Sequence, residues 1–205
     1  MERKNSSKSR ILKAAMQLFS EHGVEPVSVS ELADKAGVSR GTIYTHYPSM
    51  EALYKELAGM LEVEMSKRID ATFALIDHPV ERMAVAIRLT IRRAQEEPDW
   101  GRFLLRFGLN DSVIREVLGA SALRDLSDGL NNGDYRLDGD QITMALSSIG
   151  GSTLGAVYFV LEGLAGWRKA GSDTAEFVLR GFGVPQDIAK EISQRELPDL
   201  ATTEQ

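Results

Sequence analysis

The sequence predicts an all-α protein with a small three-helix unit at the N-terminus and a larger helical body behind it. Three observations carry that expectation. Apolar residues recur at helical spacing in segment after segment of the 205 residues. Ser, Gly and Pro stand where those segments start and stop. No stretch alternates apolar and polar residues convincingly with the period of a strand. A chain this long buries a sizeable core as one large domain or two small ones, and the division is placed after Tyr47, giving residues 1–47 and 48–205.

Residues 1–8 are polar and are expected to form a mobile arm, with Lys4, Lys8 and Arg10 within reach of a polyanion. From Ser9 to His22, Ile11, Leu12, Ala15, Leu18 and Phe19 mark an amphipathic helix that Gly23 closes. The next helix starts at Ser28, three residues before Glu31. That spacing lets the serine oxygen accept from the Glu31 N–H while the carboxylate reaches back to the Ser28 N–H. Leu32, Ala33 and Ala36 form its apolar face, Gly37 stops it, and Val38 fills the corner. Ser39 is a second N-cap, so a short helix runs from Arg40 to Tyr47, and Pro48 ends it.

On that short helix Ile43 and Tyr47, four apart, turn inward, leaving Arg40, Thr42, Tyr44, Thr45 and His46 outside. This outer face is rich in donors and free of carboxylates, as a face laid between the phosphate walls of a major groove must be. Two short helices around a tight turn, the second bearing such a face, are the plan of a helix-turn-helix DNA reader. The candidate DNA contacts are Ser28, Ser30, Ser39, Arg40, Gly41, Thr42, Tyr44 and His46.

Residues 9–57 resemble the N-terminal domain of the tetracycline-repressor family, most closely in AGVSRGTIYTHYPSMEALY. The resemblance implies a one-component transcriptional regulator, a homodimer that binds a palindromic operator and is released by a small molecule. It implies that Arg40, Gly41, Thr42, Tyr44 and His46 face bases and phosphates. The chain departs from the family at Met50, where a lysine is usual, which leaves the backbone N–H groups after Ser49 to hold phosphate.

Behind Pro48, Leu53, Leu57, Met60, Leu61, Ile69, Phe73 and Ile76 mark a helix from Met50 to Ile76, about 40 Å long at the usual rise, with Gly59 as a soft point. It is the natural lever between reader and body. His78 and Pro79 break the pattern, and Val80–Gln95 is a further helix whose Arg82, Arg88, Arg92 and Arg93 are expected to be solvated or paired. Asp99 is expected to cap a helix holding Trp100, Phe103, Leu104 and Phe107, which ends in a turn at Leu109, Asn110 and Asp111. Ser112–Leu130 is amphipathic through Val113, Val117, Leu118, Leu123 and Leu126, and residues 131–140 are loop. Ile142–Leu161 carries no charge. Its length permits a membrane span, but Thr143, Ser147, Ser148, Ser152 and Thr153 dilute it and no second span exists, so a buried helix is expected. Gly171 and Ser172 separate it from a helix at Ala175–Phe182, Val184 and Pro185 lead into a last helix ending near Leu197, and a disordered tail is expected from Pro198.

The net charge of −6 divides unevenly: residues 1–47 hold seven Lys or Arg against five acids, and the remainder is −8. Phosphate binding responds to the local field within about 8 Å, so the acidic body permits it while keeping non-specific binding weak. There is no cysteine, which removes disulfides and thiolate chemistry and suits a reducing cytoplasm. No apolar signal core follows the basic start. His22, His46 and His78 have no metal spacing; the acidic loop around Asp138 lacks the glutamate a calcium loop needs; Gly150–Gly155 lacks the lysine of a phosphate loop. No cofactor, metal or catalytic constellation is expected.

The candidate effector residues are Trp100, Phe103 and Phe107 on one helix, and Met144, Ser148, Gly151, Tyr158 and Glu162 on the uncharged one, since aromatics with a few polar groups suit a small-molecule cavity. Burial of Arg106 or Glu162 would point to a polar ligand group. Dimerisation is expected through Ile142–Trp167 and Ala175–Phe182, where Gly151, Gly155, Ala156, Gly163 and Gly166 permit close approach. Together these readings describe a cytoplasmic, homodimeric, ligand-released repressor that binds double-stranded DNA and no membrane. The alternatives are a DNA-binding regulator controlled by a protein partner and a soluble helical enzyme.

Overall fold

The computed structural model describes residues 2–22, 27–73, 76–108 and 112–198, and among these residues it holds ten α-helices and no strand. The N-terminal unit is α1 (Glu2–Glu21), α2 (Val29–Ala36) and α3 (Arg40–His46). α4 (Met50–Phe73) leads into a body of α5 (Pro79–Glu96), α6 (Pro98–Phe107), α7 (Ser112–Asn131), α8 (Ile142–Leu161), α9 (Trp167–Gly181) and α10 (Gln186–Gln194).

The N-terminal unit has its own core. Ile11, Ala15, Leu18 and Phe19 of α1 meet Leu32, Ala33 and Ala36 of α2, with Ile43 and Tyr47 closing the third side, all buried. The expected mobile arm is a correction: α1 is helical from Glu2. Its polar first turns find tertiary partners that composition does not reveal. Ser7 is buried with its Oγ 2.9 Å from His46 Nε2, and Lys8 pairs with Glu56 at 2.7 Å. The Lys4 side chain and the expected stop at Gly23 lie outside the described residues.

In the body, α5 is central and packs on α6, α7, α8, α9 and α10. His78 caps it, with Nδ1 accepting from the Val80 N–H at 3.3 Å, and Pro79 occupies the first turn, where its missing N–H costs nothing. Two ion-pair groups fix its neighbours. Arg82 donates from Nε to Asp125 at 2.6 Å and from Nη2 to Asp128 at 2.8 Å, tying α5 to α7. Burial pushes the Asp125 carboxyl up even against Arg82; the guanidinium, pulled down by burial, is raised on balance by its two carboxylates. Arg93 joins α4 to α5 by donating to Glu64 at 2.6 Å and to Glu97 at 3.0 Å. Of the four arginines expected to be solvated or paired, Arg82, Arg92 and Arg93 are paired, Arg93 in the interior, and Arg88 departs from the expectation, being buried with no ion pair among the described residues.

Two glycines allow close approach. A Cβ at Gly101 would sit 2.9 Å from that of Ala94, so Gly101 lets α6 cross α5; one at Gly129 would run into the ring of Tyr135.

Several boundaries differ from expectation. Ile76 lies outside α4, which is described as far as Phe73, and α10 ends at Gln194. Asp99 does not cap α6: Pro98, with φ already fixed for a first turn, starts the helix behind Glu97, and Asp99 pairs with Arg102 at 3.4 Å. The break between α8 and α9 falls at Glu162–Gly166, where Gly163 has φ +70 and Gly166 is the N-cap, while Gly171 and Ser172 lie inside α9. Gly171 marks a helix crossing instead, since a Cβ there would touch Arg88 Cγ at 3.4 Å. The turn at Leu109–Asp111, the side chains of Ile69, Val113, Val117 and Leu118, and the tail beyond Pro198 lie outside the described residues.

α8 is buried on one side only. Ala145, Ile149, Thr153, Leu154, Val157 and Val160 face the body, while Met144, Tyr158 and Phe159 are 63%, 49% and 52% exposed. The expected buried helix thus meets the body along one side and keeps a bare outer side within one chain. Gly139–Leu161 is long and apolar enough to cross a membrane, one such helix among the described residues.

Candidate nucleic-acid interface

The reader is built from its caps outward. The capping box at Ser28 is closed in both directions, with Glu31 N–H to Ser28 Oγ at 3.2 Å and Ser28 N–H to Glu31 Oε2 at 2.9 Å. The Ser28 hydroxyl first, then its backbone N–H, hold the Glu31 carboxyl below its ordinary value. Gly37 adopts φ +62, which no β-branched residue takes easily, and the Val38 N–H returns to the Ala33 carbonyl at 3.0 Å. Arg10 of α1 donates to the Gly37 carbonyl at 3.3 Å, bracing the turn from below. Ser39 then caps α3 by accepting from the Thr42 N–H at 3.1 Å.

Ile43 and Tyr47 anchor α3 inward at 2% exposure each, which fixes the rotation of the helix. Burial first, then the nearby Glu56 carboxylate, push the Tyr47 phenol up to about 12, although its hydroxyl lacks hydrogen-bond geometry to any described residue. The outer face carries no acid. Its polar residues divide by partner. Thr42 Oγ1 lies 2.9 Å from Ser39 Oγ, Thr45 Oγ1 donates to the Gly41 carbonyl at 2.8 Å, and half-buried His46 is engaged with Ser7. Arg40 and Tyr44 are exposed and make no hydrogen bond or ion pair among the described residues. Ser28 is exposed and occupied by its cap, and Ser30 is half-buried on the first turn of α2. At α4, Ser49 Oγ accepts from the Ala52 N–H at 3.1 Å, and Met50 is half-buried.

The expected effector residues do not come together. Trp100 and Phe103 are buried and Phe107 is half-buried in an aromatic cluster with Phe19 and Tyr54, the Tyr54 and Phe107 rings lying 4.1 Å apart. Met144, Ser148, Gly151, Tyr158 and Glu162 are all exposed, on the side of α8 opposite Ile149, Thr153, Val157 and Val160. Steps of three and four residues keep them in one stripe on the exposed side of α8, whereas Trp100 and Phe103 are interior. Of the two charged residues whose burial would point to a polar ligand group, Glu162 is exposed, and Arg106 is half-buried and reaches α1.

Sequence reasoning missed three interior polar groups. Among the described residues, Arg93 lies 4.5 Å over the Trp100 ring with its Nε buried and unpaired, Thr153 Oγ1 is buried without a partner, and Arg88, 8% exposed, has no ion pair, burial pushing its guanidinium down. Nothing in four arginines spaced along one amphipathic helix distinguishes the interior ones. A groove of about 820 Å³ lies elsewhere, between α1 and α4, floored by Leu12, Met16, Leu57 and Met60.

The helix-turn-helix and the all-helical body behind it each match a known domain family. Residues 11–57 match the bacterial regulatory proteins of the tetR family, and residues 78–195, more than half of the chain, match the tetracyclin repressor-like C-terminal domain. The chain belongs to the tetracycline-repressor family.

Among relatives, an uncharacterised HTH-type transcriptional regulator of Mycobacterium tuberculosis is 33% identical over 89 residues, covering 43% of this chain and 44% of that protein. The chain thus matches less than half the length of that relative. The HTH-type transcriptional repressor AcnR of Corynebacterium efficiens is 25% identical over 140 residues, 65% of this chain and 73% of AcnR. Among solved structures, the tetracycline-repressor-type chain resembles RolR in complex with its ligand resorcinol, with a TM-score of 0.75 and 28% identity over 98% of this chain and 99% of that one. FadR of Bacillus subtilis in complex with stearoyl-CoA, at 20% identity and a TM-score of 0.71, shares the fold.

Proposed function

We propose that this chain is a homodimeric, operator-binding transcriptional repressor of the cytoplasm whose DNA affinity is set by a small-molecule effector, and that it has no catalytic role. Residues 1–47 read DNA, and residues 48–205 dimerise and hold the effector. One observation carries this reading: a rigidly capped α3 whose outward face holds no acid and offers the free donors of Arg40 and Tyr44. Arg40 contacts bases or phosphates at the N-terminal end of the helix, Gly41 allows close approach, and Tyr44 donates to the groove wall. Ser28, Ser30, Ser39, Thr42 and His46 contact the backbone.

The stripe of Met144, Ser148, Gly151, Gly155, Tyr158 and Glu162 forms the two-fold seam with a second copy, its exposed aromatics supplying area and its glycines permitting approach. This reading moves the α8 residues from pocket to interface. A small aromatic effector is supported by Trp100, Phe103 and Phe107 and by the full-length likeness to RolR, a protein solved with resorcinol. The effector favours a spacing of the two α3 helices unlike the roughly 34 Å that successive major grooves require.

The test is fluorescence anisotropy of the purified protein on the DNA upstream of its own gene, titrated with salt and then with small phenols. Selective binding reversed by a phenol is the expected result. Absence of selective binding at every salt concentration overturns the DNA-binding reading, whereas selective binding that no compound disturbs overturns the effector.

A further inference from the structure

Arg106 stands in the last turn of α6, in the body, yet its guanidinium belongs to the N-terminal unit. Its Nη1 donates to the Phe19 carbonyl at 3.3 Å, and its plane lies 5.8 Å from the centre of the Phe19 ring and 4.9 Å from that of Phe107. Phe19 is in the last turn of α1, the end that carries the negative pole of the helix dipole. The Arg106 cation therefore complements the charge of that helix end and lies against an aromatic from each domain. Burial pushes the guanidinium down from its ordinary value, as expected for a charge held between rings.

Around it the two domains share one aromatic cluster. Phe19 contributes from α1, Tyr54 from α4, and Phe103 and Phe107 from α6, with neighbouring ring centres 4.1 to 6.4 Å apart. α6 also carries Trp100 one turn before Phe103, under the guanidinium of Arg93, which in turn grips Glu64 of α4. α6 thus touches both reader-bearing helices. Apolar rings alone can slide past one another, since dispersion and burial are non-directional. A hydrogen bond to one named carbonyl is directional and sets an angle.

We propose that Arg106 is the positioning residue of the joint: its bond to the Phe19 carbonyl locks the end of α1 to the end of α6, so that reader and body move as one. The inference rests on the DNA-binding reading above. It assigns Arg106 no contact with DNA or effector. It also predicts reciprocity, because a link that lets the body bias the reader lets bound DNA perturb α6.

Trp100 reports on α6 once the other tryptophan is removed, so the experiment uses full-length protein carrying Trp167→Phe. Operator DNA is titrated into this parent and into its Arg106→Met and Arg106→Lys derivatives, reading anisotropy for binding and Trp100 emission for α6. Thermal melts confirm folding. The parent is expected to bind and to change its Trp100 emission. Arg106→Met keeps the apolar packing but not the donor; it is expected to bind within about tenfold of the parent and to lose the emission change. Arg106→Lys keeps a donor and is expected to restore at least half of it.

An emission change in Arg106→Met equal to the parent's would overturn the lock, as would binding by the parent with silent Trp100, or a lysine variant that behaves like the methionine one. A parent that binds no DNA overturns the DNA-binding reading itself. Should Arg106→Met fail to melt cooperatively, the lysine variant alone decides, by restoring or losing the response.

Discussion

Arg40 and Tyr44 differ from the other polar residues of α3 in having nothing to do within the described chain, while Thr42, Thr45 and His46 are each occupied. Free donors on a rigid helix are what a groove can use. Arg40→Ala is expected to narrow the gap between operator and scrambled DNA by about 1–3 kcal/mol, and Tyr44→Ala to weaken both by a similar amount. Anisotropy on the two duplexes at one salt concentration separates these effects, and wild-type behaviour in both variants would mean that α3 is not the reading helix. Glu31 gives a prediction in pH. Its folded carboxyl sits below the ordinary value, so the stability it lends α2 is fully present above the unfolded value and disappears as pH falls through the folded one. The Ser28 amide shift, followed by NMR down an acid titration, should report that loss, and Glu31→Gln should flatten it.

Among the helices, the fold depends on where small residues let backbones meet. Gly129→Ala forces a methyl into the ring of Tyr135, whose hydroxyl is already buried without a partner among the described residues, and a cost of about 1–3 kcal/mol is expected by chemical denaturation. A neutral result would mean that the ring moves aside. The same logic explains what was legible in the sequence. The caps at Ser28, Gly37 and Ser39 act within four residues of themselves, so local pattern was enough to place α2 and α3. Gly171 acts across space, on Arg88 of another helix, and a local reading mistook it for a break. Ser7 and Lys8 look like a solvated end until His46 and Glu56, far along the chain, become their partners. The periodicity of α8 was visible too, but periodicity states that two sides exist and leaves open which of them meets the body.

For the molecule as a whole, that outer side of α8 is the decisive surface. Gly155→Arg places a long cation at the middle of the proposed seam without entering the body, since a Cβ there meets nothing within 4 Å. It is expected to convert a dimer to a monomer by sedimentation while leaving helicity intact, and to lower operator affinity by at least tenfold as the paired half-sites are lost. A monomer that still binds the full operator at wild-type strength would refute the paired reading.

A bare apolar stripe on a folded chain also makes stability a matter of dose. If two copies must meet to cover Met144, Tyr158 and Phe159, the melting temperature should climb with protein concentration. Below the concentration at which pairs form, operator occupancy should then follow the square of the copy number. A cell diluting this protein by growth would pass sharply from a silent gene to an expressed one, a threshold set by the stickiness of one side of one helix.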